Sequence, residues 1–276
     1  MTTGAIIFAY NNSLIDYVKI AEFAASRVKR FLDIPVSIIT DSPTALSSQH
    51  PFDSVITVES PAFSTSRNFN DGNTSHTEVE WKILTRNQVY DLTPYDTTLV
   101  LDSDYILNSS VLKPALTRDC DFQIYRNSFY LDKERVIPEF EKISSVSIPF
   151  YWATVFIFKK NNVTQQFFTL VSYIKENWPY FRLLYKISSL MYRNDYAFSI
   201  AIHIMNGNTS GDFAVELPGT MSYILDSDIM SAMSDTSMQF LIQNLRASET
   251  YNPVKTDNID VHVMNKLSLL RVIENV

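Results

Sequence analysis

The hydrophobic positions of the first 40 or so residues change twice between the spacing of a strand and that of a helix. Residues 4–10 (GAIIFAY) form a short apolar run typical of a buried strand. Pro35 separates the next two elements, a helix over residues 14–33 and a second strand over residues 36–40 (VSIIT). The helix carries apolar side chains at helical spacing: Leu14, Val18, Ala21, Ala25, Val28 and Leu32. Strand, helix and strand in this order predict a parallel sheet with right-handed crossovers.

The pattern changes after a third predicted strand at residues 52–60. Residues 60–77 are polar and have almost no periodicity, so they predict a long loop, of the kind that acts as a mobile lid over a site. Residues 78–93 predict a helix that leads into the apolar strand 97–107 (TTLVLDSDYIL).

The second half of the chain is less regular. Residues 121–126 and 153–160 predict strands, and residues 162–178 and 194–207 predict helices. No repeat or low-complexity segment interrupts the chain. The pattern predicts one α/β domain over residues 1–276.

Composition supports a folded domain and narrows its setting. The chain has 276 residues, of which 46% are apolar, so it can bury a sizeable core. No apolar run is long enough to span a membrane and the N-terminus lacks the features of a signal peptide, so no stable membrane association is expected. Cys120 is the only cysteine, which excludes an internal disulfide and fits a reducing cytoplasm.

Charge is distributed unevenly along the chain. The net charge of −7 argues against nonspecific coating of nucleic acid. Residues 151–193, however, contain six basic residues and one acidic residue, Glu176. This segment is therefore a basic region of an otherwise acidic protein.

Asp102 and Asp104 follow the apolar strand that begins at Thr97. Residues i and i+2 of a strand face the same way, and the carboxyl ends of parallel strands form the ligand crevice of an α/β sheet. Two carboxylates there suit a hard divalent cation that binds phosphate oxygens. The alternative is that both face water and cap a turn. Asp226 and Asp228 repeat the Asp-Ser-Asp tripeptide after an irregular segment, where the turn interpretation is favoured.

Other common catalytic patterns are missing from the sequence. The five glycines form neither a dinucleotide-binding G-x-G-x-x-G nor a P-loop, and no G-x-S-x-G elbow occurs. Cys120 has no neighbouring residues that would activate it as a nucleophile. These absences argue against dehydrogenase, kinase and hydrolase functions.

Residues 81–107 (WKILTRNQVYDLTPYDTTLVLDSDYIL) resemble a segment of the GT-A nucleotide-sugar glycosyltransferases, in particular the glycogenin-like family 8. In that family a helix leads through a Tyr-Asp turn to an Asp-x-Asp strand. Residues 149–161 and 192–207 are similar to segments of predicted glycosyltransferases of tailed bacteriophages. The resemblance implies a single GT-A (Rossmann-like) domain with a mixed, mainly parallel sheet flanked by helices. Residues 1–107 would bind the nucleotide sugar, and residues 108–276 would form the acceptor side and a C-terminal metal and phosphate segment.

The resemblance also implies roles for individual residues. Asp102 and Asp104 would bind the metal with His262 as a third ligand, and Ser103 would lie near the ribose. Lys266 would contact the phosphates, although Asn265 stands where glycine is usual in the family. A histidine beside two carboxylates favours Mn²⁺ over Mg²⁺.

For the nucleotide, the resemblance assigns Ala9, Tyr10 and Asn11 to a shelf under the base and ribose. Asp41 would face a uracil edge, which implies a UDP-sugar donor, and Arg67 and Lys82 would contact the diphosphate or the sugar. Two of these residues have structural alternatives, because Tyr10 suits the core and Asp41 suits a turn cap.

Asp195 opens a predicted helix. By the resemblance it would act as general base in an inverting reaction or orient a hydroxyl in a retaining one; helix capping is the structural alternative.

The acceptor side combines aromatic and basic residues, densest in residues 177–193 (NWPYFRLLYKISSLMYR). This mixture suits stacked bases beside phosphates, a carbohydrate, or ordinary helix packing. The candidate acceptor-binding residues are Trp152, Arg182, Lys186 and Arg193. The phage-like resemblance implies a 5-hydroxymethylated pyrimidine in DNA as the acceptor. A glycan, lipid or protein acceptor, or a noncatalytic module that binds sugar nucleotides or nucleic acid, are the alternatives.

Overall fold

A computed structural model of the chain describes residues 1–60, 64–73, 75–82, 86–132, 140–144, 147–244, 247 and 250–275. The helices among them are α1 Tyr17–Leu32, α2 Val89–Leu92, α3 Asn162–Glu176, α4 Trp178–Leu184, α5 Asn194–Met205 and α6 Lys266–Ile273. The strands of the first half are β1 Thr3–Ala9, β2 Val36–Thr40, β3 Ser54–Thr57, β4 Ser64–Asn70, β5 His76–Lys82, β6 Thr97–Asp102, β7 Tyr105–Ile106, β8 Phe122–Tyr125 and β9 Ser128–Tyr130. Those of the second half are β10 Trp152–Lys159, β11 Ala214–Glu216, β12 Met221–Ile224, β13 Ile229–Met233, β14 Ser237–Gln243, β15 Tyr251–Asp257 and β16 Val261–Val263.

The central sheet of the described chain has seven strands in the order β11-β8-β10-β6-β1-β2-β3. Strands β6, β1, β2 and β3 run parallel to one another, and β10 runs antiparallel to both β6 and β8. The predicted mixed, mainly parallel α/β sheet is therefore confirmed. Phe8 of β1 lies opposite Asp102 of β6, so the two strands end together at the carboxyl edge of the sheet.

The first β-α-β unit forms as its hydrophobic pattern predicts. Helix α1 buries Val18, Ala21 and Val28 against the sheet, and Arg27 is its one buried charged residue. The Asp16 side chain caps its first turn by accepting a hydrogen bond from the Lys19 amide at 3.0 Å. Asp33 ends the helix in the left-handed conformation, with φ 58°.

The loop predicted at residues 60–77 and the start of the helix predicted at 78–93 are wrong. Strands β4 and β5 form an antiparallel hairpin instead, and Phe69 and Val79 are its buried apolar side chains. So few apolar residues leave almost no hydrophobic periodicity in the sequence, and pairing between the two strands decides the structure. Beyond the hairpin, a 3₁₀ turn at Arg86–Gln88 and the single turn of α2 remain of the predicted helix. Residues 61–63, 74 and 83–85 of these two predictions lie outside the described residues.

The predicted elements of the second half are confirmed with small shifts of their bounds. Strand β8 and helices α3 and α5 bury a cluster of aromatic rings against β10, formed by Phe122, Phe156, Phe167, Phe168 and Phe198. A capping box at Asn161 and Thr164 fixes the start of α3.

Two smaller sheets were not predicted. Strands β7, β16, β12 and β9 form one of them, and β13, β14 and β15 form the other. The first brings β16 from near the C-terminus beside β7, which follows Asp104. No helix in the described ranges is long and apolar enough to cross a membrane.

Candidate active site

A cavity of about 380 Å³ lies at the carboxyl edge of the central sheet, and we call it the main cavity. Five of the residues predicted for the nucleotide sugar and its phosphates line it: Tyr10, Arg67, Lys82, Ser103 and Lys266. Six residues predicted for the metal, catalysis or the acceptor also line it: Asp102, Asp104, Trp152, Arg193, Asp195 and His262. Residues from both halves of the chain thus meet in one cavity.

Asp102, Asp104 and His262 converge at the base of the main cavity. Asp102 ends β6, Asp104 lies in the turn that follows, and β16 pairs with β7 so that His262 lies opposite Tyr105. The imidazole Nε2 is 3.2 Å from Oδ2 of Asp104, and one ligand atom from each of the three residues lies within 4.8 Å of the others. Two carboxylates and an imidazole at this spacing fit a divalent cation.

Asp104 is buried, and positive groups surround its carboxylate. Lys266 Nζ is 2.7 Å from Oδ2. Burial raises the pKa of Asp104, but Lys266 and His262 outweigh that effect and hold the pKa well below its usual range. Burial also lowers the pKa of Lys266, an effect that the Asp104 charge opposes. The carboxylate is therefore ionised and its charge is compensated within the protein.

Asn265, which departs from the family pattern, has a structural role of its own. Its side chain caps α6 by accepting a hydrogen bond from the Ser268 amide at 2.9 Å. Its amide group also donates to the Asp228 carbonyl at 2.7 Å and to the Asp71 carboxylate at 3.2 Å. Lys266 is the first residue of α6, so this cap fixes the backbone position from which the lysine side chain extends to Asp104.

Arg86 is a site residue that the sequence analysis missed. Its guanidinium forms an ion pair with Asp102 and donates a hydrogen bond to the Ala153 carbonyl, and its side chain is buried. It thereby joins β6 to β10 and also lines the main cavity. The sequence signal for such a residue was a single arginine in the segment before α2. The sequence does not show which carboxylate that arginine pairs with.

The hairpin of β4 and β5 brings Arg67 and Lys82 to the main cavity. Lys82 Nζ lies 2.6 Å from Oδ2 of Asp41. Asp41 itself does not line the cavity and also accepts hydrogen bonds from Ser42 and Ser60. Burial raises the pKa of Asp41, but these hydrogen bonds and the Lys82 charge lower it below its usual value. Asp41 therefore lies behind Lys82 in this arrangement.

The predicted nucleotide shelf is only partly exposed to the main cavity. Tyr10 lines it, but Ala9 is buried within β1. The Asn11 side chain donates to Asp16 and accepts from the Val18 amide, so it shapes the start of α1. The next residue, Asn12, lines the cavity together with Tyr17, and neither was predicted.

Asp195 lies in the first turn of α5 but does not cap that helix with its side chain. Its Oδ1 accepts a hydrogen bond from the Ala153 amide at 3.0 Å, and its Oδ2 accepts one from Arg193 at 2.8 Å. The capping alternative is therefore wrong, because the carboxylate connects α5 to β10 at the wall of the main cavity. Trp152 packs edge-on against His262, with ring centroids 6.1 Å apart.

Arg182 and Lys186 do not line the main cavity. Arg182 donates to the carbonyls of Ile187 and Ser188, each at 3.4 Å, and Lys186 is exposed. The nearby aromatic rings of Trp178, Phe181 and Tyr192 are buried, so ordinary packing accounts for them. The exposed apolar residues of α4 and the segment after it include Tyr180, Leu183, Leu184 and Leu190.

The second Asp-Ser-Asp tripeptide is structural, as the sequence favoured. Asp228 is fully buried and accepts hydrogen bonds from the Tyr130 hydroxyl and the amides of Leu225 and Gln243. It closes a turn between β12 and β13.

No family model and no curated protein matches this chain. Among solved structures, the chain is similar to an active-site mutant of LgtC, with 14% identity, a TM-score of 0.48 and coverage of 77% of this chain and 72% of LgtC. The galactosyltransferase LgtC in complex with donor and acceptor sugar analogs gives 15% identity, a TM-score of 0.45 and the same coverage. The glycosyltransferase GlyE of Streptococcus pneumoniae TIGR4 gives 14% identity and a TM-score of 0.42. The match covers 79% of this chain but only 45% of the length of GlyE.

Proposed function

We propose that this protein is a metal-dependent glycosyltransferase that moves a sugar from a nucleoside diphosphate sugar to an acceptor hydroxyl. The observation that carries the proposal is the convergence of Asp102, Asp104 and His262 with Lys266 in the main cavity. A cation-binding set beside a lysine, at the carboxyl edge of a parallel sheet, suits a diphosphate.

The donor side of the proposed site is formed by cations and by the end of β1. A divalent cation held by Asp102, Asp104 and His262 would neutralise charge on the departing diphosphate. Lys266, Arg67 and Lys82 would bind the phosphate oxygens directly. Tyr10 and Asn12 would contact the nucleoside. The imidazole favours Mn²⁺ as the cation, and the resemblance to family 8 enzymes favours a UDP-sugar as the donor.

In the proposed reaction the bond between the anomeric carbon and the phosphate oxygen breaks, and a bond from that carbon to the acceptor oxygen forms. UDP leaves with the bonding electrons, and the acceptor hydroxyl loses its proton. Asp195, which Arg193 and the Ala153 amide hold at the cavity wall, would take that proton in an inverting reaction or orient the hydroxyl in a retaining one. The anomeric configuration of the product distinguishes these two roles.

For the acceptor we propose a 5-hydroxymethylated pyrimidine in DNA. The basic charge of residues 151–193 and the resemblance to phage glycosyltransferases support this choice. The enzyme would have to expose or flip the base, because the hydroxymethyl group must reach the anomeric carbon. Exposed Leu183, Leu184 and Leu190 favour a second candidate, a glycan acceptor carried on an apolar group such as a lipid.

The test is UDP release from a panel of UDP-sugars with Mn²⁺, with and without DNA that contains 5-hydroxymethylcytosine. Asp119→Asn is a matched control, because Asp119 is exposed and pairs with Lys159, which lies opposite Thr97 at the far end of β6. Release that needs the DNA, is lost in Asp104→Asn and is kept in Asp119→Asn would support the whole proposal. Release that is indifferent to the DNA would keep the transferase and favour a glycan acceptor. Absence of both release and Mn²⁺ binding would contradict the proposal and favour a noncatalytic binding module.

A further inference from the structure

A second cavity, of about 370 Å³, lies beside the small sheet that carries His262. Tyr105, Tyr125 and Phe129 line it together with Ile259 and Asp260. Among the described residues, none lines both this cavity and the main cavity, although Tyr105 follows Asp104 and Asp260 precedes His262 by two positions. Residues that are adjacent or nearly adjacent in the sequence therefore line two different cavities.

Exposed side chains line the second cavity, and three of them are apolar and lie beside the polar Thr220 and Asn258. Val111, Phe129 and Ile259 are 36%, 38% and 41% exposed, respectively. All three line the cavity, so their exposed surfaces surround a concave opening. Apolar side chains that gather around a concavity are typical of a ligand site, whereas single exposed ones are ordinary.

One of the two carboxylate oxygens of Asp260, which lines the second cavity, lacks a hydrogen bond within the described residues. Asp260 is only 4% exposed, and its Oδ1 accepts a hydrogen bond from the Asn108 amide at 2.7 Å. Its Oδ2 is buried and has no hydrogen-bond partner within the described part of the chain. The neighbouring Arg27 donates instead to Asn108 and to the Leu107 and Asp235 carbonyls. A buried carboxylate oxygen without a partner is unfavourable, so a ligand that donates to it would be stabilised.

We propose that the second cavity binds a small molecule with an apolar body and an ammonium group. The ammonium would donate to Oδ2 of Asp260 and compensate the carboxylate charge. The rings of Tyr105, Tyr125 and Phe129 add the attraction of aromatic faces for a cation, and Val111 and Ile259 contact the apolar body. This binding is separate from glycosyl transfer in the main cavity.

The experiment titrates 2-phenylethylamine into the full chain and measures binding by saturation-transfer NMR and calorimetry. Anisole, which has the apolar ring but no donor, is the ligand control. We expect saturable binding of the amine and at least about tenfold weaker binding of anisole, because only the amine supplies the charge-assisted hydrogen bond.

Three variants locate the binding. Ile259→Trp fills the mouth of the second cavity from an exposed position and should weaken binding of the amine by about tenfold or more. Leu190→Trp, at an exposed site elsewhere, should leave binding unchanged. Asp260→Asn keeps the shape and removes the charge, and should also weaken binding.

If Asp260→Asn fails to fold, Ile259→Trp still decides whether the second cavity is the site. Absence of saturable binding up to about 10 mM amine, or equal binding by Ile259→Trp and the natural chain, would overturn the proposal. Equal affinities for anisole and the amine would overturn the assignment of an ammonium ligand.

Discussion

Lys266 Nζ lies 2.7 Å from Oδ2 of Asp104, although the two residues are far apart in the sequence. The same carboxylate oxygen is 3.2 Å from His262 Nε2. One buried carboxylate thus has a candidate metal ligand on one side and a candidate phosphate ligand on the other. This relationship makes Asp104 the residue on which the proposed site depends most.

Replacing Asp104 with asparagine should abolish the site at a cost in stability. We expect Mn²⁺ affinity to fall by at least about tenfold, because one of three candidate ligands loses its charge. Buried Lys266 would also lose its ion partner, which costs roughly 3–5 kcal/mol in comparable buried pairs. Calorimetric Mn²⁺ titration and thermal unfolding measure the two effects, and unchanged Mn²⁺ affinity in a folded variant would contradict the assigned ligand set.

Replacing Arg86 with lysine should show that its guanidinium holds Asp102 in position. Lysine keeps the charge but cannot contact both Asp102 and the Ala153 carbonyl with one planar group. We expect Mn²⁺ affinity to fall by about tenfold, as when the partner of a metal ligand is lost. The exposed Arg30→Lys serves as the control, and equal Mn²⁺ affinities for the two variants would argue against this role.

Asn265→Gly would restore the glycine that is usual in the resembling family, yet it should destabilise this protein. The variant loses the cap on α6 and the hydrogen bond to the buried Asp228 carbonyl. We expect a loss of about 1–3 kcal/mol in the free energy of unfolding, measured by urea denaturation. Asn265→Ser, which keeps a side-chain oxygen that can cap α6 and buries no charge beside Asp71, should lose less, and a more stable glycine variant would contradict the structural role.

Asp71 should make the stability depend on pH below about pH 4. The hydrogen bonds from Arg271 lower its pKa and outweigh burial, which raises it. An acid with a lowered folded pKa stabilises the protein fully above its unfolded pKa and loses that contribution as the pH falls through the folded value. The stability difference from Asp71→Asn should be about 0.5–1 kcal/mol at pH 7, since Arg271 is half-exposed. It should shrink toward pH 3 in denaturation curves, and a difference that is constant with pH would contradict the assignment.

The basic residues of the acceptor side should separate into two groups. Arg193→Ala should reduce transfer to every acceptor, because Arg193 lines the main cavity and holds Asp195. Arg182→Ala combined with Lys186→Ala should weaken binding of DNA but not of other acceptors. The slope of the logarithm of the DNA binding constant against the logarithm of the salt concentration should become smaller by about one for each phosphate that is no longer neutralised. Filter binding across salt concentrations measures the slope. Unchanged binding to hydroxymethylated DNA after all three substitutions would argue against DNA at this surface.

Local hydrophobic pattern was enough to predict the elements that bury one face or one apolar run. The spacing of apolar residues predicted β1, α1 and β2 correctly, because the two strands are continuous buried runs and the helix buries one apolar face. The apolar run placed Asp102 and Asp104 at the carboxyl edge of the sheet, and both line the main cavity. The strand predicted over residues 97–107 ends at Asp102, however, and Asp104 lies in the turn that follows, so a turn rather than i, i+2 strand geometry brings the two carboxylates together. His262 and Lys266 entered through resemblance, since no local pattern connects them to Asp104.

Contacts between segments that are distant in the sequence became visible in the folded protein alone. Pairing of β16 with β7 brings His262 to Asp104, and pairing of β4 with β5 turns a polar segment into a hairpin that carries Arg67 to the main cavity. Trp178 is buried and packs in the core, so it does not stack on a ligand. Arg86 forms an ion pair with Asp102. The physical reason is that periodicity reports which face of an element is buried, whereas strand pairing and ion pairing depend on which other segment lies against that face.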